Sequence, residues 1–250
     1  MSAVQSTETS ASGPGSSGAV STGSAGWDLG AMYGVIAELL LNPAVRDSGR
    51  VERYLQAIPE TPMRERIERF LASPAAHNVD EYTATLELTP PCPLYLGSHL
   101  YDEPSSCRGA GACGRNQYMI ELKATYEHFG FDLSGVVELP DFLPVMIEFL
   151  AVSSKYPQRD GIGLRRRFVD QYLQPGIPAM RKAMQKYESV YDILMEALEF
   201  VAQEDMERLA DDPVWLAPEV QEIIPVRKGS SSTSGISPSP ETSTASWYSQ

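Results

Sequence analysis

Four side chains able to bind metal or attack as nucleophiles crowd into residues 92–113: Cys92, His99, Cys107 and Cys113. Thiolates with an imidazole are a plausible donor set for zinc or an iron–sulfur centre. The spacing speaks against it. Six, seven and five residues separate them, with no Cys-x-x-Cys and no His-x3-His step. A redox pair of Cys107 and Cys113 lacks any neighbour that would lower a thiol pKa. His77, His99 and His128 are the only histidines. None falls in a recognisable triad, and His128 lies near a helix C-terminus, where a cation is favoured anyway. Gly161-x-Gly163 is far short of a dinucleotide fingerprint, and no strand precedes it. Arg165 to Arg167 read as a solvated helix face, with an anionic contact as the minority reading. No catalytic residue, metal or cofactor is therefore expected. A metal- or thiol-dependent enzyme built on the cysteine loop, or a generic helical adaptor, is the alternative.

A different chemistry sits in ELPDFLPVMIEFL, Glu138 to Leu150, where three carboxylates and two prolines interrupt large apolar side chains. On a helical wheel advancing about 100° per residue, Leu143, Met146, Ile147 and Leu150 gather on a core face. Asp141, Val145 and Glu148 share the opposite side with Pro144, and Phe142 and Phe149 flank it. The expected surface thus joins carboxylates to exposed aromatics. The plainer reading makes Asp141 an N-cap and Glu148 an ordinary solvated acid.

The elements that position these residues are helical. Leu29, Met32, Tyr33, Ile36 and Leu40 form one apolar stripe, ended by Asn42-Pro43. SGRVERYLQAI and TPMRERIERFLA follow, the second with Thr61 as N-cap and Pro62 at the first helical position. NVDEYTATLEL adds a short helix up to Pro90-Pro91. Residues 90–114 break the rhythm with prolines and glycines, and long loops of this kind are usually functional. Helical spacing resumes in RNQYMIELKATYEHFG, stopped by Gly130. It continues over Asp141–Lys155, about Leu164–Leu173, and from Ile177 to Asp211-Asp212-Pro213. No run alternates like a strand. The expected architecture is all-α: one domain over 27–227, its helices packed as antiparallel neighbours. Residues 1–26 carry Glu8 as their only charge, and 228–250 are Ser-, Thr- and Pro-rich. Both read as flexible tails, with Trp247 and Tyr248 as stray aromatics or a docking tag. The N-terminus lacks the basic and apolar regions of a secretory signal.

With 33 acidic against 20 basic residues, the net charge is −13. A nucleic-acid binder needs the opposite sign, and a charged partner would be basic. No apolar run approaches the roughly 20 residues of a membrane span. Three cysteines suit a reducing cytoplasm better than a disulfide framework.

PCPLYLGSHLYDE (Pro91 to Glu103), RNQYMIELKATYEHFGF and ELPDFLPVMIEFLA resemble, in that order, the NarJ/TorD/DmsD superfamily of all-helical molybdoenzyme chaperones. The similarity covers most of Trp27 to about Val220. It implies a cytoplasmic, non-enzymatic chaperone. Its partner would be the immature catalytic subunit of a molybdenum oxidoreductase, bound at its twin-arginine leader or N-terminal region until the cofactor is inserted. Asp141, Phe142, Pro144 and Glu148 are the positions carried over, with Phe149 beside them and Tyr95, His99 and Tyr101 of the adjoining loop as a second wall. The loop Glu103 to Met119 lacks the charged Arg-Asp-Arg-Gly pattern of respiratory nitrate-reductase chaperones. It looks more like delta-type chaperones of periplasmic enzymes in the DMSO-reductase family.

Overall fold

The structure, a computed structural model, describes residues 27–88, 90–101, 114–135 and 137–216. Helix α1 (Leu29–Leu39) opens where the Asp28 side chain accepts from the Ala31 amide at 3.0 Å. Every residue of α1 except Ala37 is buried. The sequence stripe described one wet and one dry face, but the positions opposite it are Gly30, Ala31 and Gly34, small enough for neighbours to close over them, and Glu38, whose buried carboxylate accepts from the Asp47 amide and pairs with Arg50. Helix α1 is therefore the hub. It packs against α7 (Leu143–Ser153) most heavily, then α2 (Ser48–Ala57) and α10 (Asp192–Arg208).

The capping signals operate as the sequence specifies. Thr61 Oγ1 accepts from the Arg64 amide at 3.2 Å at the head of α3 (Pro62–Leu71), a cap worth about 1 kcal/mol. Short α4 (Val79–Tyr82) runs on as a wider π turn to Glu87, ending before Pro90. Helix α5 (Gly97–Leu100) is a single turn. Helix α6 (Gly114–Phe129) stops at Gly130, whose φ of +71° is the left-handed conformation glycine adopts without strain. Helix α8 (Leu164–Arg167) continues as a π segment to Leu173, followed by α9 (Ile177–Lys186). The described residues form one all-α domain with no strand; a lone antiparallel bridge joins Tyr95 to Phe142. None of its helices is long and apolar enough to cross a membrane. The expected tails and residues 217–227 lie outside the described residues.

Inside the bundle, Arg165 and Asp205 are buried together. The guanidinium grips both carboxylate oxygens at 2.6 Å, its Nε donates to Ser153 Oγ at 3.1 Å, and the Tyr33 hydroxyl donates to Asp205 at 2.9 Å. This corrects the solvated-face reading of Arg165. Burial opposes its charge, but Asp205 outweighs that and holds the guanidinium above its usual range. Arg167 is engaged as well: it pairs with Glu121 at 2.7 Å and lies 3.7 Å over the Trp215 ring. The Arg165 network pins α1, α7, α8 and α10 in one register. Asp205→Ala would leave an uncompensated buried cation, and urea denaturation should show a loss of about 3–5 kcal/mol. Asp211→Ala, at an exposed position after α10, should leave the midpoint unchanged.

Candidate functional site

The segment 138–150 does not present the face its wheel describes. Leu143, Met146, Ile147 and Leu150 are in the core as expected, but Asp141 and Phe149 are 0% exposed too, and Pro144 and Val145 are buried. Phe149 packs among Tyr126, Phe129, Phe131 and Phe168, with ring centroids 4.7–5.8 Å away. Helix α7 is therefore apolar nearly all round, and Glu148 is its one exposed residue between Leu143 and Ala151. The expectation that Asp141 and Phe149 project into solvent is overturned. Asp141 is no N-cap either: α7 starts at Leu143 with Phe142 at the cap, and no side chain closes it.

What takes Asp141 inward is a cation that sequence reasoning missed. Arg115, in the first turn of α6, donates from Nε to Asp141 Oδ2 at 2.9 Å. The same carboxylate lies against the backbone of Gly97, where a β-carbon would come within 2.5 Å of Oδ2. Any larger residue at 97 would push the carboxylate off its partner. Asp141 Oδ1 has no hydrogen-bond partner among the described residues. The pair is thus singly bonded, unlike the fully satisfied Arg165–Asp205 pair.

Around this clasp, residues 91–101 form an arm laid against the body. The Leu96 amide donates to the Asp141 carbonyl at 2.9 Å, and the Leu143 amide donates to the Leu94 carbonyl at 2.7 Å. Cys92, Leu94 and Leu96 point into the core. Tyr95 faces outward instead, its hydroxyl donating to Glu138 and its ring 5.3 Å from Phe142. Tyr95 and Phe142 are each half-buried, and the stretch leading to Phe142 carries Leu139 and the 98%-exposed Val137. The structure therefore brings Tyr95, Phe142 and Glu138 together. His99 turns its Nε2 to the Pro93 carbonyl at 2.9 Å, and Tyr101 packs on Tyr118 at 5.5 Å. Glu148 and Pro144 belong elsewhere, to a shallow groove between α1, α2 and α7 shared with Gly34, Arg50, Tyr54 and Lys155.

The cysteine alternative can be followed only in part, since Cys107 and Cys113 lie outside the described residues. Cys92 is buried, and loss of hydration pushes its thiol up, away from a reactive thiolate. Among the described residues no group of three His, Cys, Asp or Glu side chains converges on a metal-sized space.

The sequence that builds this domain matches known proteins. The family model described as nitrate reductase delta subunit matches residues 58–182, half of the 250-residue chain, and this chain belongs to that family. The matched stretch holds the arm, Arg115, the Asp141 turn and α7. A relative in Bacillus subtilis (strain 168), named "Probable nitrate reductase molybdenum cofactor assembly chaperone NarJ", is 26% identical over 148 residues, 58% of this chain and 71% of the relative.

Two outcomes follow for the clasp. Asp141→Asn replaces a buried charge partner with a neutral amide, and melting curves should show a loss of about 1–3 kcal/mol; Glu148→Gln should melt like the parent. The Tyr95 hydroxyl is pushed from 10.0 up to about 12 by its hydrogen bond to Glu138, with burial adding. A raised phenol pKa stabilises the fold fully below the ordinary value and loses that contribution as pH climbs through the folded one. The stability difference between parent and Tyr95→Phe should therefore shrink between pH 10 and about 12, read by denaturant melts along that range.

Proposed function

We propose that this chain is a non-enzymatic assembly chaperone for a molybdenum oxidoreductase. It would work in the cytoplasm, holding the immature catalytic subunit until the molybdenum cofactor is inserted and delaying export until then. Membership of the nitrate reductase delta subunit family is the observation that carries this reading, because the match spans the arm and the Asp141 turn together. The name of the Bacillus subtilis relative supports the same role. The loop at 103–119 favours a client of the periplasmic, DMSO-reductase type, whose chaperones are delta-type.

The client-contact surface is proposed on the arm face. Tyr95 and Phe142 would supply apolar contact, and Glu138 beside them supplies charge for a basic segment such as a twin-arginine leader. His99, Tyr101 and Glu148 remain accessible enough to contribute at the margins. Asp141, Pro144 and Phe149 act from beneath, as supports that fix where Phe142 and Glu148 stand. Exposed ion pairs contribute only about 0–1 kcal/mol each, so apolar contact supplies most of the affinity and charge sets register. Release follows when the finished subunit buries the recognised segment.

The direct test is affinity capture of the tagged full chain from its native host, with bound proteins identified by mass spectrometry. One dominant partner is expected, a molybdopterin-binding subunit lacking its cofactor. Recovery of only unrelated proteins, or of the holo-subunit in preference, would contradict the reading.

A further inference from the structure

Where α6 ends, the chain folds back on itself. The Gly130 amide donates to the Glu127 carbonyl at 3.0 Å and the Phe131 amide to the Tyr126 carbonyl at 2.8 Å, a closure that needs the positive φ of Gly130. Phe131 is thereby seated on Tyr126 and Phe149, with centroids at 5.6 and 5.8 Å. Beside it opens a cavity of about 430 Å³ with Tyr126, Phe131 and Leu133 as its apolar wall and Lys123, Glu127 and Asp132 also lining it. A smaller one of about 200 Å³, also bounded by Phe131, reaches Phe149, Val152 and Tyr156. Val152 and Tyr156 are 38% and 40% exposed, so apolar surface continues out of the cleft. The larger space falls within the size range of built ligand pockets, roughly 300–1,000 Å³.

The charges at the rim decide what fits. Lys123 and Glu127 lean on each other at 3.8 Å. Arg159 donates to the Phe129 carbonyl at 2.7 Å and stacks over Tyr156. Asp132 is left without a cationic partner among the described residues. Its oxygens accept from the Ser134 amide and hydroxyl, each at 2.8 Å. Those two bonds, the amide first, hold its carboxyl below the usual range, so it is ionised at neutral pH. The larger cavity, with Tyr126, Phe131 and Leu133 as its apolar wall and Asp132 unpaired at its rim, is complementary to an apolar side chain that has a cation beside it. Arg159 instead gives the smaller recess a positive edge. A chain of net charge −13 also draws basic segments toward it. The wall of the cleft is tied to the turn that carries Phe142, since the buried Tyr126 hydroxyl donates at 2.8 Å to the Pro140 carbonyl.

Resting on the chaperone reading, we propose that the Phe131 cleft is a second docking site for the unfinished client subunit, taking an apolar side chain whose neighbouring Lys or Arg reaches Asp132. The arm face and the cleft would then hold two points of one segment, which favours an extended or helical stretch over a single residue.

The probe is the subunit captured from the native host, identified as molybdopterin-binding and rebound to purified full-length variants. Leu133→Glu should weaken binding at least about tenfold by placing charge in the apolar wall. Asp132→Asn should weaken it about two- to fivefold and reduce its salt dependence. Asp132→Asn, at an exposed position, should melt close to the parent. Rebinding undiminished in both variants overturns the cleft and leaves the chaperone reading standing. Failure of the parent chain to capture any such subunit overturns both. Should Leu133→Glu not fold, amide exchange of residues 130–134 in the parent complex decides: slowing supports the site, and exchange unchanged from the free protein overturns it.

Discussion

Taking a carboxylate out of water costs free energy that a paired cation offsets, and in this domain Arg115 is the cation paired with Asp141. Much of the accessible surface depends on the pairing. Asp141 contributes its carbonyl to Leu96 and its side chain to Arg115, while its neighbour Leu143 donates to Leu94. Three parts of the chain, the arm, the start of α6 and the entry to α7, are therefore fixed against one another at one residue. Its second oxygen lacks a partner among the described residues, so the clasp is less fully satisfied than the Arg165–Asp205 pair. Unpaired buried acceptors carry a free-energy penalty of about 1–3 kcal/mol. That penalty makes the arm the more easily loosened region, in contrast to the register set by α1, α7, α8 and α10.

The helices were legible because their signals are local. Thr61-Pro62 starts α3, Gly130 ends α6, and the spacing of Tyr118, Leu122, Tyr126 and Phe129 marks the side of α6 that is buried. The candidate surface was less so, and the reason is physical. A helical wheel sorts residues by polarity, and it sends a carboxylate outward because it has no knowledge of a cation elsewhere. Arg115 stands 26 positions before Asp141, and Asp205 stands 40 after Arg165. Neither pairing leaves a periodic trace. The run Arg165–Arg167 invited the same error, since three adjacent cations look solvated until one of them is found to face a buried acid. Aromatics carry a similar ambiguity: Phe142 and Phe149 sit on one flank of the wheel, but only Phe149 meets the ring cluster around Phe168.

The segment that carries the family resemblance has a structural role different from the one its wheel describes. The Leu-Pro-Asp turn is an internal joint, and the residues it presents are its neighbours: Phe142 and Glu138 with Tyr95 on the arm. A joint of this kind suits a protein that binds reversibly. Its core, built on α1 and the Arg165 network, sets a platform, and the proposed contact surface lies on short irregular segments that the platform holds in place. The Phe131 turn follows the same pattern, with a helix stop creating an apolar recess beside a lone acid.

If the Asp141–Arg115 pair holds the arm in place, removing the cation must loosen it. Amide hydrogen exchange in Arg115→Met tests this most directly, because Leu96 and Leu143 donate the two bridge bonds. Exchange at those two amides should accelerate by about tenfold or more, as loss of a charge partner worth over about 1.4 kcal/mol requires, while amides in α10 keep their parent rates. Unchanged protection at Leu96 and Leu143 would mean that the arm is held by its buried leucines alone and that the clasp is incidental to it.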